Sequence, residues 1–207
     1  MTASRIRKRR TQTERKESTR AKLESAAFEV LAERGFEGLT VDAIAQQSGM
    51  SRGALGMHFA TKDELLEPLV VMSCARAQDA IDQCFATEKA VGLAGLKGAM
   101  AALVQRWCGD DSAGRALNAL LARAHHDETT RGALGPRIEE LEAVLGMRAA
   151  AMLSAAGLGL RGGLTAGRLL LIAAVSASVR AGLEATEQTA SASEVVQLLA
   201  TSLVTMS

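Results

Sequence analysis

Three sets of residues in this chain have types and spacings that invite chemistry, and each has a plainer reading. His125-His126-Asp127-Glu128 strings four metal-ligating types together. Adjacent helical residues do not share a face, so both imidazoles cannot easily reach one ion. A histidine near a helix C-terminus also suits the dipole there. Cys74, Cys84 and Cys108 are odd in number and match no zinc spacing. They read as small buried apolar side chains of a protein kept in a reducing compartment. Glu139, Glu140 and Glu142 read as the wet face of an amphipathic helix. No nucleophile elbow, phosphate-binding loop or paired-carboxylate signature occurs, and covalent catalysis needs a nucleophile beside a base. The expectation is a protein that is not an enzyme, with no cofactor and no metal.

What remains is charge. The formal net charge of +1 hides an asymmetry: residues 1–62 carry 12 Lys/Arg against 7 Asp/Glu, a net +5, and residues 63–207 carry 12 against 16, a net −4. Arg5, Arg7, Lys8, Arg9, Arg10, Arg15 and Lys16 concentrate it further. A basic end on a mildly acidic body points to a polyanion contact at that end. The plainer alternative is a solvated run that only aids solubility.

The elements that must position such a contact are helical. Hydrophobic residues make up 48% of the 207 residues, which supports a sizeable core. Aromatics are 2%, Tyr is absent and there are two prolines. With strong helix formers common and strand formers scarce, the fold class is all-α. Three regions follow: a basic flexible tail over 1–16, an N-terminal domain over 17–77, and a helical C-terminal domain over 78–207. The basic N-terminus lacks the apolar stretch of a signal peptide. The apolar run Leu169–Val179 is too short to span a membrane. A soluble, cytoplasmic protein is expected.

In the N-terminal domain Leu23, Ala27, Val30 and Leu31 share one face of a helix over 17–34, which Gly35 ends. Thr40 caps a short second helix, Asp42 sits in its first turn where the dipole favours an anion, and Gly49 stops it. Ser51 caps a third helix over 52–59. Ala45 lets the two short helices approach, and Ile44, Met50 and Leu55 pin them together. Two short helices with a glycine turn are a helix-turn-helix, here over 40–59. Thr61 to Glu64 reads as a capping box opening a fourth helix, with Pro68 inside it as a bend.

At these residues the sequence resembles the TetR family of regulators. The resemblance runs from Arg20 through Leu66. It is carried by Ala26-Ala27, Gly35-Phe36, Thr40-Val41, Ile44-Ala45, Gly49-Met50-Ser51, Gly53-Ala54-Leu55, His58-Phe59 and Lys62-Asp63-Glu64-Leu65. It implies DNA contacts at Thr40, Ser51, Arg52, Gly53, Gly56, Met57, His58 and Lys62. Thr40 and Lys62 would meet phosphates. Ser51, Arg52, Met57 and His58 would face the groove, with Arg52 suited to a bidentate guanine contact. Arg52 also reads as a bare surface charge, and His58 as a buttress of the turn. One departure stands out: the family usually has Tyr, which contacts the DNA backbone, where this chain has Gly56. Arg7 and Arg9 of the basic tail are candidates to make up for it.

Beyond residue 88 the chain reads as helices near 90–108, 112–126, 136–156, 165–185 and 192–205, with 127–135 unassigned and Pro136 in the first turn of its helix. The resemblance implies that the last two helices pair with those of a second copy. The candidate interface is Leu169, Ile172, Val175, Val179, Val196, Leu199 and Leu203, whose alternative is the chain's own core. Met72, Met100, Leu103, Trp107, Leu121, Met147 and Met152 are candidates to line an apolar cavity for a small apolar effector, though each alone reads as core. The resemblance thus implies a homodimeric regulator of transcription, a repressor that binds double-stranded palindromic operator DNA and is released by that effector. The alternative is a TetR-fold adaptor or coactivator acting through protein contacts.

Overall fold

The computed structural model describes residues 11–109, 111–183 and 197–206. Helix α1 spans Gln12–Arg34 and begins five residues earlier than the periodicity predicts. The reason is a reciprocal capping box: the Thr11 amide donates to Glu14 Oε2 at 2.8 Å and the Glu14 amide to Thr11 Oγ1 at 3.2 Å. Residues 12–16 of the expected tail are therefore helical. Residues 1–10, with Arg7 and Arg9, lie outside the described residues.

Helices α2 (Val41–Ser48) and α3 (Arg52–His58) follow, and Gly49 between them takes a left-handed conformation at φ 67° and ψ 20°, which glycine adopts without a Cβ penalty. The next segment departs from expectation. Asp63–Leu65 is a 3-10 turn, and α4 (Leu66–Thr87) starts only at Leu66. Glu64 Oε2 accepts from the Ala60 amide at 3.0 Å rather than closing a box with Thr61. Pro68 thus falls in the first turn of α4, where no intrahelical donor is lost, so the bend expected there has no cause.

The rest of the chain is built from α5 (Gly92–Cys108), α6 (Ser112–Ala124), α7 (Glu128–Ser154) and α8 (Leu164–Leu183). Asp127 caps α7 through the Thr130 amide at 2.6 Å. That cap draws the unassigned 127–135 stretch into the helix and leaves Pro136 inside it rather than at its start. Residues 197–202 are helical. Past them, β2 (Val204–Met206) pairs antiparallel with β1 (Leu158–Leu160), Leu160 opposite Val204, so the last predicted helix ends in a ribbon. This small ribbon aside, the described fold is all-α.

One continuous core runs through these helices, from Leu23, Phe28 and Leu31 through Leu69, Ile81, Leu103, Trp107 and Leu120 to Leu145 and Leu170. Helices α7 and α8 cross closely at Gly146 and Gly167. A Cβ on Gly167 would stand 2.0 Å from the Glu142 carbonyl oxygen, so no larger residue fits there without separating the helices.

Candidate nucleic-acid interface

The helix-turn-helix is held from inside. Ile44 of α2, Leu55 of α3 and Phe59 just beyond it are buried, and Met50 packs half-buried against the same core. Thr40 Oγ1 accepts from the Ala43 amide at 3.1 Å and Ser51 Oγ from the Ala54 amide at 3.2 Å, so each short helix has its predicted cap. With its apolar side committed inward, α3 turns Arg52, Gly53, Gly56 and Met57 to solvent, Met57 at 77% exposure. Thr40 and Ser51 are exposed at the adjoining helix ends. The structure thus brings most of the predicted contact residues onto one small unit.

Three residues of the set are not simply free on the surface. Arg52 is paired with Asp42, its Nε 2.6 Å from Oδ1 and its Nη2 2.8 Å from Oδ2. Lys62 is half-buried, its Nζ 4.4 Å from the centre of the Phe36 ring. His58 is half-buried at the end of α3, and its Nδ1 is buried without a hydrogen-bond partner among the described residues. A Cβ built on Gly56 meets nothing within 4 Å, so packing does not demand glycine there.

The Phe36 ring carries a second cation. Arg123, at the end of α6, places its guanidinium carbon 3.8 Å from the ring centre. It also reaches Asp63 at 3.6 Å, Asp127 at 3.0 Å and the Thr130 hydroxyl at 3.0 Å. Hydrogen bonds from Thr130, side chain before backbone, hold the Asp127 carboxyl below its ordinary value, with Arg123 adding to the effect. Arg123 therefore ties α6 and the start of α7 to the segments on either side of the helix-turn-helix. Nothing local in the sequence marks its link to Phe36 and Asp63, because both lie far away along the chain. Asp42 was legible only as a dipole partner of α2; ten residues separate it from Arg52.

The remaining predicted residues divide by environment. Met100, Leu103 and Trp107 are buried core, Met72, Leu121 and Met152 are half-buried, and Met147 is exposed on α7. A groove of about 590 Å³ lies elsewhere, lined by Arg76, Asp79, Gln83, Gln105, Arg106 and Ser112 among others; a smaller one of about 200 Å³ lies at Glu139, Glu142 and Arg168. The larger groove is lined mostly by polar side chains, and the smaller also takes in Leu164 and Thr165. On α8, Leu169, Ile172 and Val179 are exposed and Val175 half-buried. Leu199 is half-buried, while Leu203 packs into the chain's own core and is not available to a partner. Val196 lies outside the described residues. His125 and His126 are both exposed, with ring centres 6.3 Å apart. Among the described residues no cluster of His, Cys, Asp or Glu could hold a metal ion. No helix there is long and apolar enough to cross a membrane.

Comparison with known proteins meets this geometry at the same residues. The family described as bacterial regulatory proteins, tetR family, matches residues 24–69. The HTH-type transcriptional regulator CymR of Pseudomonas putida is 49% identical over 59 residues, 28% of this chain and 29% of that protein. PksA of Bacillus subtilis, also an HTH-type transcriptional regulator, is 44% identical over 50 residues, 24% of each chain. The alignments thus span less than a third of either relative. In fold the likeness extends along the chain. A TetR transcription regulator from Haloarcula marismortui superposes with a TM-score of 0.70 at 20% identity, covering 91% of this chain and all of that one. Salmonella enterica GusR gives 0.65 at 22%, covering 90% and 95%. The helix-turn-helix segment is thus similar to the tetR family of bacterial regulatory proteins over residues 24–69, and the helical body is similar in fold to solved TetR regulators.

Proposed function

We propose that this chain regulates transcription by binding operator DNA as a homodimer. The observation that carries the reading is the outward face of α3: Leu55 and Phe59, which pin the helix, are buried, Met50 packs half-buried beside them, and Ser51, Arg52, Gly53, Gly56 and Met57 are left to solvent. A helix held by its back, its front free of packing duties, is what entry into a major groove requires. Thr40 and Lys62 flank it as phosphate contacts, and His58 closes its end.

The outward apolar stripe of α8, with Leu169, Ile172 and Val179 exposed and Val175 half-buried, is the proposed dimer surface. Large aliphatic side chains recurring along one outward face of a helix form the kind of patch that a partner covers. Two-fold pairing makes the operator palindromic.

The same reading makes the chain a repressor whose effector is a small apolar molecule among α4 to α8, near Met100, Leu103 and Trp107. Effector binding there repositions α6, and Arg123 passes the shift to Phe36 and Asp63 beside the helix-turn-helix, so that ligand and operator favour different states. The test is binding of the purified full chain to the DNA upstream of its own gene against a scrambled duplex. Selective binding is expected. Absence of any DNA affinity would favour an adaptor working through protein contacts.

A further inference from the structure

The pairing of Arg52 with Asp42 has a specific geometry. A guanidinium has two donor edges, one made by Nε–H and an Nη2–H, the other by the Nη1–H and the second Nη2–H. Asp42 takes the first edge with both oxygens, Oδ1 at 2.6 Å from Nε and Oδ2 at 2.8 Å from Nη2. The second edge keeps two parallel N–H groups with no carboxylate on them among the described residues, the pattern that matches the O6 and N7 acceptors of guanine.

The pair does little for the fold. Its side chains are 73% and 63% exposed, and ion pairs that open to water contribute little to stability. Nor is Asp42 needed as a cap, since Thr40 already satisfies the Ala43 amide. A bare carboxylate on a face meant for DNA would repel phosphates. Bound to Arg52 it is neutralised, and in return it fixes a long, rotamer-rich side chain at the first residue of α3.

We propose that Asp42 is a positioning residue that holds Arg52 for bidentate readout of one guanine in each half-site, and that the base preference of this protein at that position depends on the carboxylate as much as on the arginine. The inference rests on the DNA-binding reading above and adds to it the base that is read and the residue that aims the reader.

The test uses the full chain and a randomised duplex library. Wild type is expected to enrich a site carrying a guanine in each half. Replacing that guanine by adenine, or by 7-deazaguanine, which lacks the N7 acceptor, should weaken wild-type binding about tenfold or more. Arg52→Ala should abolish the distinction. Asp42→Ala should reduce it below about threefold while leaving affinity for non-specific duplex equal or higher, because a negative charge has gone. Asp42→Asn, which keeps one acceptor, should fall between. In the Arg52→Ala background, Asp42→Ala should cause no further loss of discrimination. Unchanged guanine preference in Asp42→Ala would overturn the proposal and leave Asp42 as a charge screen. A guanine preference that survives Arg52→Ala would overturn it too, with the DNA-binding reading intact. Failure of wild type to enrich any sequence would instead bring down that reading, and this inference with it.

Discussion

The guanidinium of Arg123, at the end of α6, stacks 3.8 Å from the centre of the Phe36 ring, which lies between α1 and α2. One side chain thus joins the body of the protein to the root of the helix-turn-helix, through a ring contact and carboxylates on both sides of the junction. Arg123→Ala should cost about 1–2 kcal/mol, the sum expected for a partly desolvated cation–π contact and a lost hydrogen bond. Denaturant unfolding measures it. Hydrogen exchange should quicken around 61–66 and 124–130 before the rest of the chain changes. Arg123→Lys should be nearly as damaging, because an ammonium cannot both stack and bridge.

Gly56 is open to test in two steps, because a Cβ there meets nothing. Gly56→Ala should stabilise α3 by up to about 1 kcal/mol, since alanine loses less backbone entropy in a helix, and thermal melting should rise by about 2–4 °C per kcal/mol in a chain of this size. Gly56→Tyr should tighten binding to duplex DNA of any sequence, read by fluorescence anisotropy. A tyrosine variant that folds normally and binds no better would mean that the backbone contact is made elsewhere.

Burial pushes the Cys74 thiol up from 9.0 to about 11, and Cys84 and Cys108 upward for the same first reason. The thiolate is the reactive form, so the native protein at pH 8 should react slowly with a thiol reagent and the unfolded protein quickly. The linkage has a definite sign. The native state holds the proton more tightly than the unfolded chain, so this contribution is intact below pH 9 and fades as pH climbs from 9 toward about 11. Denaturant midpoints across that range should fall more steeply in wild type than in Cys74→Ala.

The outward side chains of α8 give the assembly prediction. Ile172 is 53% exposed at the centre of the stripe, so a charge there harms no core. Ile172→Glu should leave helix content and melting of the single chain nearly unchanged and shift sedimentation from dimer to monomer. Operator affinity should fall with it, because two half-sites are then bound independently. A variant that stays dimeric would place the interface on another face.

Much of this was legible in the residues, for identifiable reasons. The caps Thr40 and Ser51 and the left-handed Gly49 are local: each depends on a few consecutive residues, and each stands where its type requires. The start of α1 was equally local, yet Thr11 and Glu14 sit among basic residues that read as tail. The two prolines exchanged roles, since Asp127 starts α7 nine residues before Pro136 while the 3-10 turn at 63–65 delays α4 until just before Pro68. The ribbon of 158–160 with 204–206 has strands of three residues, too short for any alternation to show. The Arg52–Asp42 and Arg123–Phe36 pairs were beyond reach because they depend on how helices pack, not on spacing within one.

The central claim, that the exposed face of α3 reads duplex DNA, is tested most directly by titrating the full chain against its own upstream DNA and a scrambled duplex over a salt series. The account predicts tighter binding to the upstream duplex at every salt concentration, with affinity falling by a log–log slope of about 0.9 for each phosphate contacted. Arg52→Ala should shrink the gap between the two duplexes while leaving most of the slope. Equal, weak binding to both duplexes, unaltered by Arg52→Ala, would contradict it.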